Sequence, residues 1–160
     1  MLVQDLMTRN VAAVRPDQTL AVAARLMWDC DCGALPVVEG DRKVIGMITD
    51  RDICMACWSR SLAPSALLVR DATSSDLVSC SPQATIAAAE AAMSGHQVRR
   101  LPVMDAEMRL VGILSLVDIA RAAAVAPKLL PDRDLSETRV ATTLASISTA
   151  PPPYGSQAHP

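Results

Sequence analysis

The chain has 160 residues, a hydrophobic fraction of 51% and a formal net charge of −2 from 15 basic and 17 acidic residues. With no Phe, one Tyr and two Trp, the core must come from Ala, Val, Leu, Ile and Met, and neither a basic stripe nor a set of stacking rings is present to hold nucleic acid. No apolar run reaches the roughly 20 residues of a membrane helix, no basic-then-apolar leader opens the chain, and the five cysteines are odd in number, so a soluble cytoplasmic protein with reduced thiols is expected.

The sequence repeats itself. Displaced by 66 positions and without a gap, Val3–Cys54 falls on Val69–Ala120 with 13 identities, among them Asp5/Asp71, Pro16/Pro82, Thr19/Thr85, Met27/Met93, Pro36/Pro102, Gly46/Gly112 and Asp52/Asp118. Each copy reads as the same unit. Val11–Val14 and Leu77–Cys80 are predicted as short strands running towards a proline. Thr19 and Thr85 suit helix N-caps, because a hydroxyl can accept an orphan N–H of the first turn. The helix after Thr19 carries Leu20, Ala23, Ala24 and Met27 at i, i+3, i+4 and i+7, one buried stripe.

A hairpin follows, with Ala34–Glu39 and Val44–Thr49 joined through Gly40, Asp41 and Arg42; its counterpart is Leu101–Met104 with Leu110–Ser115. A second helix is predicted from Asp50 to Arg60 and again from Leu116 to Val125. So small a unit cannot cover both faces of its own sheet. The expectation is therefore an α+β fold of two pseudo-symmetric β-α-β-β-α units packed through their sheets. The first unit takes residues 1–60, a Pro-broken linker 61–68, the second unit 69–126, and a C-terminal extension 127–160. A weakly amphipathic helix is predicted over 135–147, then a disordered Pro-rich end over 150–160.

At the end of each hairpin stands Gly-apolar-apolar-(Thr/Ser)-x-x-Asp: Thr49 with Asp52, and Ser115 with Asp118. A hydroxyl leaves the strand and a carboxylate follows about one helical turn later, so both reach the same spot. Such a pair suits a vicinal diol such as that of ribose, and the adjoining helix N-terminus suits a phosphate. The plainer reading is that Asp52 and Asp118 only stabilise a helix N-terminus.

These motifs, with Asp5-Leu6-Met7, Gly-Ala-Leu-Pro-Val-Val at 33–38, Thr-Asp-Arg-Asp-Ile at 49–53 and the matching positions 99–104 and 115–119, resemble a tandem pair of cystathionine-β-synthase (CBS) domains, the Bateman module, over residues 3–125. The resemblance implies a regulatory module that binds adenosine ligands (AMP, ADP, ATP, NAD or S-adenosylmethionine), commonly as a homodimer, and acts in trans on an unidentified protein. No cofactor is required. It implies that Thr49 and Asp52 hold one ribose and Ser115 and Asp118 another. One adenine slot falls to Ala12, Ala13 and Val14 with Ala34, Leu35 and Pro36; the other to Val78–Cys80 with Arg100, Leu101 and Pro102. Arg51 in the first copy, and His96, Arg99 and Arg100 in the second, are the basic groups placed to meet phosphates. Val117 stands where the first copy has Arg51, so the two sites are expected to treat phosphate differently.

Two other readings compete. Cys30, Cys32, Cys54 and Cys57 flank the first hairpin and could approach one another, as a thiolate zinc or redox site needs. Cys54 and Cys57 also share a stripe with Ile53, however, and Cys80 falls on a strand, so all three read as small core hydrophobes. An enzyme is not expected: of the two histidines only His96 lies within the repeats, with no nucleophile motif or Gly-rich phosphate loop. A dimeric scaffold with vestigial sites is the remaining alternative.

Overall fold

The computed structural model describes residues 1–74, 76–125 and 137–148. The chain order is α1 (Val3–Leu6), α2 (Leu20–Asp29), β1 (Ala34–Glu39), β2 (Lys43–Thr49), α3 (Asp50–Arg60), α4 (Ile86–His96), β3 (Arg100–Met104), β4 (Leu110–Ser115), α5 (Leu116–Val125) and α6 (Glu137–Ile147). Thr19 and Thr85 cap α2 and α4 as expected, accepting the Val22 and Ala88 N–H groups. Leu20, Ala23 and Met27 are buried, with Ala24 packed at their edge. The helix predicted over 135–147 is present from Glu137; Leu135 and the Pro-rich end over 150–160 lie outside the described residues.

β1 pairs with β2 and β3 with β4, both antiparallel, each with a shift just after the pair in which a valine faces a glycine, at Val37/Val38 and Val103/Met104. The strands predicted at Val11–Val14 and Leu77–Cys80 are not formed. Each segment makes one parallel bridge, Val14 to Val37 and Cys80 to Val103. Val14 donates to the Pro36 carbonyl and accepts from Val38; Cys80 does the same with Pro102 and Met104. The next rung towards the N-terminus would need an N–H from Pro36 or Pro102, which has none, so the ladder stops.

The two halves meet through their sheets. Lys43 bridges Arg109, the Val44 N–H donates to Met108 and the Leu110 N–H to Arg42, while Val38, Val44, Met104 and Leu110 form a shared apolar cluster with Val11, Ala13 and Leu77 at its margin.

Their leading segments are exchanged. Val3 and Met7 pack into the core of the second half, with Ile86, Met93, Leu101, Leu114 and Ile119; Leu67 and Val69 pack into that of the first, with Leu20, Met27, Leu35, Ile48 and Ile53. The crossings are pseudo-symmetric down to their hydrogen bonds. Thr8 bridges Ile113 as Ser74 bridges Met47, and Asp5 and Asp71 accept the N–H groups of Leu2 and Leu68. Residues 61–68 are accordingly more than a spacer: Pro64–Ala66 forms a 3-10 turn, Leu67 is buried and Leu68 bridges Thr19.

The exchange explains the shared glycines. A Cβ on Gly46 would run into Thr73 Cγ2 and stand 2.6 Å from the Ser74 carbonyl oxygen. On Gly112 it would stand 2.7 Å from Met7 Sδ and 3.0 Å from the Thr8 carbonyl oxygen. Only a residue without a side chain lets the crossing segment lie this close.

Candidate functional site

Both strand-to-helix corners are capping boxes. At the first, the Thr49 N–H and hydroxyl donate to Asp52 Oδ2 at 2.8 and 2.7 Å, and the Asp52 N–H donates back to Thr49 Oγ1 at 3.2 Å. At the second, the Ser115 N–H and hydroxyl donate to Asp118 Oδ2, and the Asp118 N–H returns to Ser115 Oγ at 3.2 Å. The helix-stabilising role is therefore real. It occupies one carboxylate oxygen of each aspartate. Among the described residues nothing donates to Oδ1 of Asp52 or Asp118, which leaves each aspartate one acceptor for a diol.

The corners differ in what they face. Ser115 and Asp118 line a cavity of about 760 Å³, together with Thr8, Asn10, Val11, Ala12, Cys30, Asp31, Cys32, Ala34, Leu35, Arg99, Arg100, Ile113, Leu116, Val117, Ala120, Arg121, Val140 and Leu144. That volume lies within the roughly 300–1,000 Å³ of small-molecule sites. Its walls mix an apolar slot with three guanidinium groups. A smaller cavity of about 460 Å³, beside α2 and α3, is lined by Asp31, Cys32, Asp50, Ile53 and Cys54 and has no cationic wall residue. Thr49 and Asp52 line neither.

The second corner thus shares its cavity with Ala12, Ala34 and Leu35 of the slot expected for the first unit, and with Arg100 of the slot expected for its own. The cause is the exchange: by bridging Ile113 of β4, Thr8 carries residues 10–12 to the β4–α5 corner. Of the expected site residues, Ser115, Asp118, Arg99, Arg100, Ala34 and Leu35 come together, with Ala12. The others do not join them. Val14, Pro36, Leu101 and Pro102 are buried, Ala13 packs between the hairpins, and Val78 and Cys80 pack on the second core. His96 and Arg51 are exposed and line neither cavity. Sequence reasoning missed Arg121, although it sits one helical turn after Asp118 and shares its face. It also missed Val140 and Leu144, for which the repeat carried no signal.

All five cysteines are free. Cys30 and Cys54 are exposed and Cys32 and Cys57 half-buried, so Cys54 is not the core residue its stripe suggested. Among the described residues no three His, Cys, Asp or Glu side chains are grouped to hold a metal ion. Burial pushes the Cys32 thiol above its ordinary value, against the lowering by the Ala34 N–H and Arg100. It pushes Cys80 up to about 11, making that thiol inert at neutral pH.

The CBS domain family model matches residues 3–59 and 69–125. The chain belongs to the CBS domain family. The CBS domain-containing protein YhcV of Bacillus subtilis is 42% identical over 118 residues, which span 74% of this chain and 82% of YhcV. Hypoxic response protein 1 of Mycobacterium tuberculosis is 37% identical with the same two coverages. Among solved structures, Hypoxic Response Protein I with two coordinated zinc ions superposes at a TM-score of 0.70 and 36% identity, covering 76% of this chain and 98% of that one. CBSX2 in complex with AMP superposes at 0.71, with 24% identity, 79% of this chain and 98% of that one. This chain's CBS pair has the family's α+β fold, and among its described residues no helix is long and apolar enough to cross a membrane.

Proposed function

We propose that this CBS pair is a regulatory, non-catalytic module that binds an adenosine-containing ligand in the cavity between its halves and signals to a separate protein. The observation that carries the reading is Asp118 at the rim of that cavity, with Oδ1 open and Arg99, Arg100 and Arg121 on the same wall system. The aspartate suits a ribose diol, Ala12, Ala34, Leu35 and Ile113 suit the faces of a purine, and the guanidinium groups suit phosphate oxygens. CBSX2, a CBS protein of the same fold, holds AMP, which supports an adenosine ligand. The arginines favour AMP, ADP or ATP over S-adenosylmethionine, whose sulfonium is cationic. Hypoxic Response Protein I holds two zinc ions; among the described residues here no three His, Cys, Asp or Glu side chains are grouped to hold one.

Isothermal titration with AMP, ADP, ATP, NAD and S-adenosylmethionine tests the reading. Asp118→Ala should weaken the preferred ligand by tenfold or more, since a hydrogen bond to a charged group is worth about 1.5–3 kcal/mol. Binding should also raise the melting temperature of the wild type. If none of the five compounds binds, the sensor gives way to a scaffold. A homodimer and a cytoplasmic location belong to the same proposal; a solution mass at the monomer value of 17.0 kDa would remove the dimer.

A further inference from the structure

The C-terminal helix α6 lies outside both stretches that match the family, yet it reaches the cavity. Val140 and Leu144, four residues apart and so on one helical face, line the same space as Ser115 and Asp118. Leu144 is 48% exposed, an apolar side chain facing a site rather than a core.

A second face of α6 is fastened to the body. Arg139 pairs with Glu90 of α4 at 2.7 Å, Ser146 donates to Ser94 at 2.9 Å, Thr143 is buried, and Ile147 enters the second hydrophobic core. Glu90 is the telling residue. It is only 4% exposed and stands where the first half has Ala24, on the inward stripe of the helix. A buried carboxylate is unfavourable unless paired. The departure from the repeat makes sense only with α6 in place to supply the guanidinium.

We propose that α6 is a built part of the ligand site: Val140 and Leu144 cover one apolar face of the ligand held at Ser115–Asp118, so ligand binding and α6 docking strengthen each other. By linkage the effect is reciprocal, and the extension beyond the repeats is the element through which occupancy is read out. The inference rests on the adenosine reading above.

Full-length protein tests it, with AMP, ADP and ATP as probes and two readouts: affinity by titration and hydrogen exchange of residues 137–148. Val140→Ala with Leu144→Ala keeps good helix formers in α6 and should weaken binding about tenfold through lost apolar contact. Glu90→Gln should speed exchange in 137–148 and weaken binding, whereas nucleotide should slow that exchange in the wild type. The proposal is overturned if the alanine pair binds within about twofold of wild type and nucleotide leaves exchange in 137–148 unchanged while Asp118→Ala still weakens binding. It is overturned equally if Asp52→Ala, and not Asp118→Ala, abolishes binding; the adenosine reading then stands at the other corner. Absence of binding by all three probes removes this inference, and the adenosine reading falls with it when NAD and S-adenosylmethionine fail to bind as well.

Discussion

The two halves share a corner and differ in its surroundings. Thr49–Asp52 and Ser115–Asp118 make the same three hydrogen bonds, but every arginine of the larger cavity belongs to the second half. Arg99, Arg100 and Arg121 stand where the first half has Gly33, Ala34 and Met55, and Glu90, which fastens α6, stands where it has Ala24. The first half supplies apolar surface to the same space through Ala12, Ala34 and Leu35. Duplication fixes the frame, in which every unit must present a capped helix and a crossing segment. Specialisation falls outside the caps and the crossing segments, and at Glu90 it reaches the inward stripe of the helix. All the positive charge in the cavity comes from one half.

If the frame is symmetric, its hardest constraint should be felt in both halves, though unequally. Alanine at Gly46 meets the backbone oxygen of Ser74 and the branched Thr73, neither of which can swing aside. Alanine at Gly112 meets first the end of Met7, a flexible thioether. Overpacking ordinarily costs about 1–3 kcal/mol, so Gly46→Ala should fall at the upper end and Gly112→Ala near the lower. Urea unfolding of both variants measures the difference. Equal losses would mean that the two crossings are equally rigid, and a neutral Gly46→Ala would refute the close crossing itself.

The corners should behave alike in stability and unlike in ligand response. Removing the carboxylate by Asp52→Ala or Asp118→Ala loses a capping box, about 1 kcal/mol in each half. Thermal unfolding without ligand should therefore scarcely distinguish the two variants. Adding the preferred nucleotide should separate them, with Asp118→Ala losing the larger part of the stabilisation. A ligand response halved equally in both would show that the first corner also carries a site.

Much of this was legible in the sequence because repetition turns weak local signals into strong ones. Thr19 alone is an ordinary threonine; Thr19 with Thr85 in one frame marks two helix starts, and both cap as read. The hairpins and the paired hydroxyl and carboxylate came through for the same reason. What failed was non-local. Val11–Val14 has a strand's composition, but whether a ladder extends depends on the N–H of the residue it meets, and that residue is Pro36. The exchange of leading segments left its mark only as Gly46 and Gly112, which show a close approach without saying to what. The composite cavity depends on that exchange, and a reading that takes each repeat by itself does not show it. Val140 and Leu144 were invisible to a reading built on the repeat, since the repeat ends before them.

The smallest expected effect concerns the hairpin loops, where the halves share one bend and differ in what holds it. Both loops pass through positive φ at a matching position, Arg42 and Met108, and the first does so at Gly40 as well. The second is held by Asp105, whose carboxylate accepts the Glu107 N–H at 3.0 Å, the Arg109 N–H at 2.9 Å and Arg109 Nε at 2.8 Å. Hydrogen bonding by the Arg109 backbone N–H, followed by its guanidinium, holds this carboxyl below the usual carboxylate range. A depressed folded-state pKa contributes stability that is present above the ordinary value and is lost as pH falls through the depressed one. Asp105→Asn should thus be slightly less stable than wild type at neutral pH, and the two should converge in acid once Asp105 itself is protonated. Asp41, 3.6 Å from Arg109 but 84% exposed, is the matching control in the other loop; Asp41→Asn should change nothing measurable at any pH, as an exposed pair is screened by water. A gap between Asp105→Asn and wild type that stays constant down the acid limb would mean that the loop needs the shape of the residue and not its charge.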